Sequence, residues 1–315
     1  IASCLVGSEM CIRDSGKTSL SVTLAKKLHA EVVSCDSMQI YRGMEIGTAK
    51  PTADEMQGVP HHLMGFQDPA EPFSVSDYVA LAGKVIEDIH ARGKNVLLVG
   101  GTGLYARSLL KAVPFTENSR DDEIRGNLEA EFAADGIEPL YARLKELDPE
   151  GAEGIHPNNT RRVIRALEYC MVTGEPFSKQ AKDSKAVESP YDGKMLVLSF
   201  RDRETLYGRI NLRVEQMFAD GLLKEAEDYF KRYGTPGQTS VQAIGYKELF
   251  PYFEGQCSLD EAKENIKRET RRYAKRQLTW FRREEDAVWL FADDFDAPAD
   301  LISAAEDIAR AHFED

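Results

Sequence analysis

Val96-Leu97-Leu98-Val99-Gly100-Gly101-Thr102-Gly103 is four apolar residues running into a glycine turn, and the chain beyond it continues in a helical pattern. An apolar run this short, with no polar alternation, predicts a strand buried on both faces. The same grammar occurs upstream. Glu31-Val32-Val33-Ser34-Cys35-Asp36 predicts a short buried strand that ends in a polar residue. Thr18 to Leu28 predicts a helix with Leu20, Leu24 and Leu28 on one stripe, and Val75 to Arg92 an amphipathic helix stopped by Gly93. Strand, glycine turn and helix in succession imply an α/β core, a parallel sheet with helices on both faces. Ligands of such a sheet bind beyond the carboxyl ends of its strands, where Asp36 and Gly100 to Thr102 fall.

Further along, the texture changes. From Thr116 to Tyr191 the segments are helical and acidic, and Met195-Leu196-Val197-Leu198-Ser199-Phe200 restores a buried strand. The expected division is a core of residues 1–115 and 192–315 with an all-helical insertion, 116–191. Arg203 to Ala219, Leu222 to Arg232 and Leu259 to Arg283 predict further helices, and Trp289 to Asp315 a strand and a closing helix.

At 315 residues, 42% hydrophobic and 30% charged, the composition is that of a soluble globular chain with a sizeable core. Cys4, Cys11, Cys35, Cys170 and Cys257 are scattered, with no C-x-x-C, which argues against zinc and disulfides and fits a reducing cytoplasm. No apolar run approaches the ~20 residues of a membrane helix, and no secretory pattern opens the chain. The net charge of −13 opposes a nucleic-acid partner, unless a local basic face does the binding. Two such faces exist. One holds Arg161, Arg162 and Arg165; the other runs from Lys267 to Arg283 and contains a single acid, Glu269. That asymmetry favours an anionic partner.

Ser15-Gly16-Lys17-Thr18, opening a helix, is the back half of a Walker A loop. Backbone amides and the lysine cradle phosphate oxygens there, and the threonine hydroxyl ligates Mg²⁺. The core is therefore expected to be P-loop NTPase-like. The full pattern needs glycine at position 11, where this chain has Cys11. The preceding Leu5 to Asp14, LVGSEMCIRD, reads neither as a strand nor as a phosphate loop. It back-translates in frame into a transposase-type sequencing adapter, so it is expected to be a library insertion replacing the native start of the loop.

Several separated blocks carry a resemblance: DSMQIYRGMEIGTAKP at Asp36–Pro51, VPHHL at Val59–Leu63, LVGGTGLY at Leu98–Tyr105, HPNNTRRVIRALE at His156–Glu168, AIGYKE at Ala243–Glu248 and AKRQLTWFRR at Ala274–Arg283. Together they resemble the tRNA dimethylallyltransferases, over about Ser15 to Arg283. The resemblance implies transfer of dimethylallyl from its diphosphate to the exocyclic amine of the adenine 3′ of the anticodon, with Mg²⁺ and without ATP. It implies a monomer. It assigns Asp36 as general base, and Lys17, Thr102 and Arg213 as catalytic groups on the diphosphate, with Ser15, Gly16 and Thr18 in the phosphate cradle. It also implies tRNA contacts at Asp36, Ser37, Met38, Gln39, Thr102, Arg161, Arg162 and Arg165, with Arg125 matching more loosely. Two longer stretches complete that surface: Val241, Gln242, Ala243, Ile244, Gly245 and Tyr246, and then Lys275, Arg276, Gln277, Leu278, Thr279, Trp280, Phe281 and Arg282. His61 and His62 show no third metal ligand and are read as structural.

Three other readings share parts of this pattern. A P-loop small-molecule kinase would share the phosphate loop and sheet but has no need of the basic aromatic helix end. An AMP prenyltransferase would share Asp36 and the donor site without the RNA surface. A P-loop RNA-binding protein without catalysis would keep only that surface.

Overall fold

The computed structural model describes residues 2–5, 17–111, 121–179, 189–234 and 239–314. The anomalous stretch over 6–14, with Ser15 and Gly16, thus lies outside the described residues. The chain divides into two units, residues 1–110 with 191–315, and residues 111–190.

The first unit is built on a parallel sheet of β1 (Ala2–Leu5), β2 (Ala30–Ser34), β3 (His61–His62), β4 (Asn95–Val99), β5 (Met195–Ser199) and β6 (Val288–Phe291), in the order β3-β2-β4-β1-β5-β6. The strand interiors are apolar because both faces are covered. Val33, Val96, Leu98, Met195 and Val197 pack on one side, and Val32, Leu97, Leu196, Leu198 and Leu290 on the other. This is the two-residue period of a pleated strand, with hydrophobic side chains turned to both faces.

The second face is closed by α1 (Lys17–Lys27) and the last helix, through Leu20, Leu24, Leu28, Leu301, Ala305 and Ala309. The short α2 is Ala53–Met56. The first face carries α3 (Val75–Ala91), α4 (Gly103–Leu110), α9 (Arg203–Ala219), α10 (Leu222–Tyr233), α11 (Phe250–Phe253) and α12 (Leu259–Phe281); α13 is Pro298–Glu314. Ser74 and Ser258 cap α3 and α12 with reciprocal capping boxes to Asp77 and Glu261.

Parallel register aligns the carboxyl ends of β2 and β4, with Ser34 opposite Val99. At the opposite end of β2 the buried Glu31 gathers Arg92 (2.5 Å), Lys94 (2.7 Å) and Nε2 of His62 (2.7 Å). The Arg92 guanidinium, working against burial and aided by Lys94 and His62, holds Glu31 well below the usual carboxylate range. His61 Nδ1 meets the Val59 carbonyl at 2.8 Å. His61 is thus tied to a backbone carbonyl and His62 to the buried Glu31.

The second unit consists of α5 (Asp122–Asp135), α6 (Glu138–Leu147), α7 (Pro149–Glu153) and α8 (Thr160–Thr173) around Leu128, Leu140, Leu144, Val163, Ile164 and Leu167. Asp121 and Asn159 cap α5 and α8 through their side chains. Among the described residues no helix is long and apolar enough to cross a membrane.

Candidate active site

Asp36 and the Gly100–Thr102 turn come together where β2 and β4 end. The ladder between the strands continues past their formal ends: the Cys35 amide donates to Val99 O at 2.7 Å, and the Thr102 amide to Cys35 O at 3.1 Å. Gly100 makes this approach possible. A Cβ there would lie 2.2 Å from Cys35 O, a backbone atom that cannot swing aside.

The consequence is that Asp36 emerges directly beside the Gly100–Thr102 turn. The Thr102 hydroxyl accepts from the Ser37 amide at 3.0 Å and donates to the Ser37 hydroxyl at 3.2 Å. Asp36 is 1% exposed, and its Oδ1 accepts the Met38 and Gln39 amides at 2.8 and 3.2 Å. That is a side-chain-capped turn of the kind aspartate favours. It fixes the carboxylate's direction at the edge of the sheet. Burial pushes the neighbouring Cys35 thiol up to about 12, so it is no nucleophile at neutral pH.

Beyond Asp36 the chain folds into a compact loop that ends at Lys50. Gln39 ties its near and far sides together, donating from Nε2 to the carbonyls of Thr48 (3.1 Å) and Ala49 (3.4 Å). Lys50 donates to Tyr41 O and to Glu45. Gly47 of this loop lines a small notch, about 20 Å³, that also holds Arg213, Gly245 and Thr270. Arg213, on α9, is only 4% exposed.

Thr18, in the first turn of α1, is half-buried, and α1 has no acid in its first turn. A helix start without carboxylates suits an anion. Lys17 opens the helix, but its side chain lies outside the described residues, as do Ser15 and Gly16.

The expected RNA-contacting residues separate into two groups. Lys275, Arg276, Thr279 and Arg282 are exposed on α12, with Leu278 and Trp280 half-buried. Gln277 and Phe281 face inward; Gln277 donates to Gly101 O at 2.7 Å, and Trp280 packs where a Cβ on Gly103 would be. The helical period thus divides residues 275–282 between an exposed and a buried side, and Gln277 and Trp280 pack against the Gly101–Gly103 turn. Likewise Val241, Ala243, Gly245 and Tyr246 are buried, leaving Gln242 exposed and Ile244 half-buried. Ser37, Met38 and Gln39 are half-buried. In the helical unit, Arg161 and Arg162 are exposed. Arg125 and Arg165 instead grip the buried Glu168 at 2.6 and 2.9 Å. Burial raises the pKa of Glu168, but these guanidiniums hold it below its ordinary value.

The sequence reading missed Glu225 on α10, which reads as an ordinary helical acid. Its carboxylate accepts the amides of Glu45, Ile46 and Gly47 at 2.9–3.0 Å and the Tyr246 hydroxyl at 2.5 Å.

A family model described as IPP transferase matches residues 39–284. A tRNA dimethylallyltransferase of Halalkalibacterium halodurans is 49% identical over 281 residues, 89% of each chain. One from Bacillus subtilis is 48% identical over 286 residues, 91% of this chain and 89% of its own. Among solved structures, a full-length tRNA isopentenylpyrophosphate transferase from Bacillus halodurans superposes with a TM-score of 0.73 at 44% identity, over 99% of this chain and 96% of that one. A eukaryotic dimethylallyltransferase acting on tRNA gives a TM-score of 0.83 at 30% identity, over 98% and 79%.

Proposed function

The chain belongs to the IPP transferase family, and we propose that it transfers a dimethylallyl group from dimethylallyl diphosphate to the exocyclic amine of the adenine 3′ of the anticodon in tRNA. An adenine amine is a weak nucleophile, because its lone pair is delocalised into the ring. It needs a base to take its proton as the new bond forms, and Asp36 fills that role. The bond from the allylic carbon to the bridging oxygen breaks, the bond from nitrogen to that carbon forms, and the electron pair leaves on diphosphate.

Charge therefore grows on the leaving group. Lys17, the Gly16 and Thr18 amides, the Thr102 hydroxyl and Arg213 stabilise it, in a phosphate loop supported by the parallel sheet and the acid-free start of α1. Among the described residues no group of three His, Cys, Asp or Glu could hold a metal alone. That fits Mg²⁺, which commonly binds through one or two protein oxygens and the substrate's phosphates, here Thr18 and the diphosphate. Bound there, Mg²⁺ would neutralise diphosphate charge.

The adenine must leave the anticodon stack to reach Asp36. Arg161, Arg162 and the exposed Lys275, Arg276, Thr279 and Arg282 offer cationic and polar groups to the RNA, and Arg125, Arg165 and the 241–246 segment complete the set. The enzyme acts in the cytoplasm as a monomer. The observation that supports the reading is the β2–β4 junction, where the Thr102 amide bonds Cys35 O and the Thr102 hydroxyl accepts the Ser37 amide, on either side of Asp36 in the chain. The test offers labelled dimethylallyl diphosphate with tRNA, AMP or ATP in parallel. Label is expected in tRNA alone. Label in AMP but not tRNA overturns the acceptor, and ATP turnover would make the chain a kinase.

A further inference from the structure

We infer that Glu225 is a positioning residue for the transfer reaction, a carboxylate plug that fixes the loop carrying Asp36 against the 241–246 segment. The inference rests on Asp36 being the general base. Five hydrogen bonds from four donors converge on one side chain: Glu45 N to Oε2 at 2.9 Å, Ile46 N to both oxygens, Gly47 N to Oε1 at 3.0 Å, and the Tyr246 hydroxyl to Oε1 at 2.5 Å. Three successive amides turned onto one carboxylate form an anion-binding nest, here filled from within the protein.

The plug connects two functional segments. On one side, Gly47 is followed by Thr48 and Ala49, whose carbonyls receive Gln39 Nε2, and the Gln39 amide donates to Asp36 Oδ1. A path of hydrogen bonds joined by short stretches of covalent chain thus runs from Glu225 to the base. On the other side, Tyr246 is completely buried, and its ring lies where a Cβ on Gly47 would be, 2.4 Å away. Gly47 and Gly245 also form walls of the Arg213 notch. Releasing the three amides would free the loop between Asp36 and Arg213, and both groups would lose their common reference. Misplacing a reacting group by about 1 Å costs on the order of 100-fold in rate.

The test is Glu225→Gln, assayed beside Asp36→Asn in single-turnover transfer, with tRNA affinity measured on the same preparations. The amide side chain keeps the shape but turns a donor toward the nest. Glu225→Gln is expected to lower kcat by about 10- to 100-fold, with the tRNA Kd within threefold of wild type. A kcat within twofold of wild type overturns the inference. So does a loss of tRNA affinity equal to the loss in kcat/KM, which would make Glu225 a binding residue. If Asp36→Asn retains transfer, the reading of the site falls whatever Glu225 does; if it is inactive while Glu225→Gln is normal, only the inference falls. Should Glu225→Gln not fold, Tyr246→Phe removes a single hydroxyl from the same plug. It is expected to lower kcat by about 3- to 10-fold and to speed amide exchange at residues 45–47; no change in either measurement overturns the inference.

Discussion

Gly100 shows how much a single position decides. Its missing Cβ lets the carbonyl of Cys35 lie against the β4 turn, and that contact sets Asp36 beside Thr102. Gly100→Ala has no flexible neighbour to displace, so the strands must part. Denaturant unfolding should show a loss of about 1–3 kcal/mol, and transfer by the folded fraction should fall with it. The glycine turn is legible in the sequence as a turn, and Asp36 as a polar strand end. The requirement for glycine is not legible, because it arises from a contact with a strand far away in the chain. Glu225 is the clearer case: nothing local distinguishes it from other helical acids, and only the folded loop 45–47 reveals what it holds.

Among the elements, β2 leads to the proposed base at one end and holds a buried ion cluster at the other. Glu31 is buried among Arg92, Lys94 and His62, which hold its pKa below the ordinary value. A depressed carboxylate contributes stability above its unfolded pKa of about 4.3. That contribution is lost as the pH falls through the folded value. Wild-type stability should therefore drop more steeply below about pH 4 than that of Glu31→Gln. At neutral pH the variant should be less stable by about 2 kcal/mol, a difference that chemical denaturation at several pH values measures. Helix α12 teaches the complementary lesson. Ala262, Ile266, Thr270, Ala274, Gln277 and Phe281 recur at three- and four-residue spacing and are all buried. That period is available in the sequence. It puts Gln277 and Phe281 on the buried side of the helix, while Lys275, Arg276, Thr279 and Arg282 of the block AKRQLTWFRR are exposed.

For the whole molecule, the formal charge of −13 sits uneasily with a polyanionic partner. The resolution lies in how the cations are spent. Along α12, Lys267, Arg268 and Arg272 face Glu264, Glu215 and Glu269. Arg161, Arg162, Lys275, Arg276 and Arg282 are exposed, and no ion pair is found for them among the described residues. Arg161→Ala with Arg162→Ala should weaken tRNA binding. The slope of log K against log salt should fall by about 0.7–0.9 for each phosphate no longer neutralised. An unchanged slope would return both to the solvated face of α8. Arg165→Ala should instead uncover the buried Glu168 and lower the melting temperature of the protein. Charge counting from sequence cannot separate these roles, because pairing is a property of the fold. The parallel sheet is legible because strand, turn and helix repeat in the chain; the start of the expected phosphate loop lies within the stretch that the structure does not describe.

The central claim is that the Asp36 carboxylate takes the proton from an adenine amine while other groups hold the leaving diphosphate. Single-turnover transfer by Asp36→Asn, with tRNA affinity measured on the same protein, tests it most directly. The account predicts a rate lower by at least about 100-fold and a Kd within about threefold of wild type. A rate within tenfold of wild type, or a Kd that weakens in step with the rate, would contradict it.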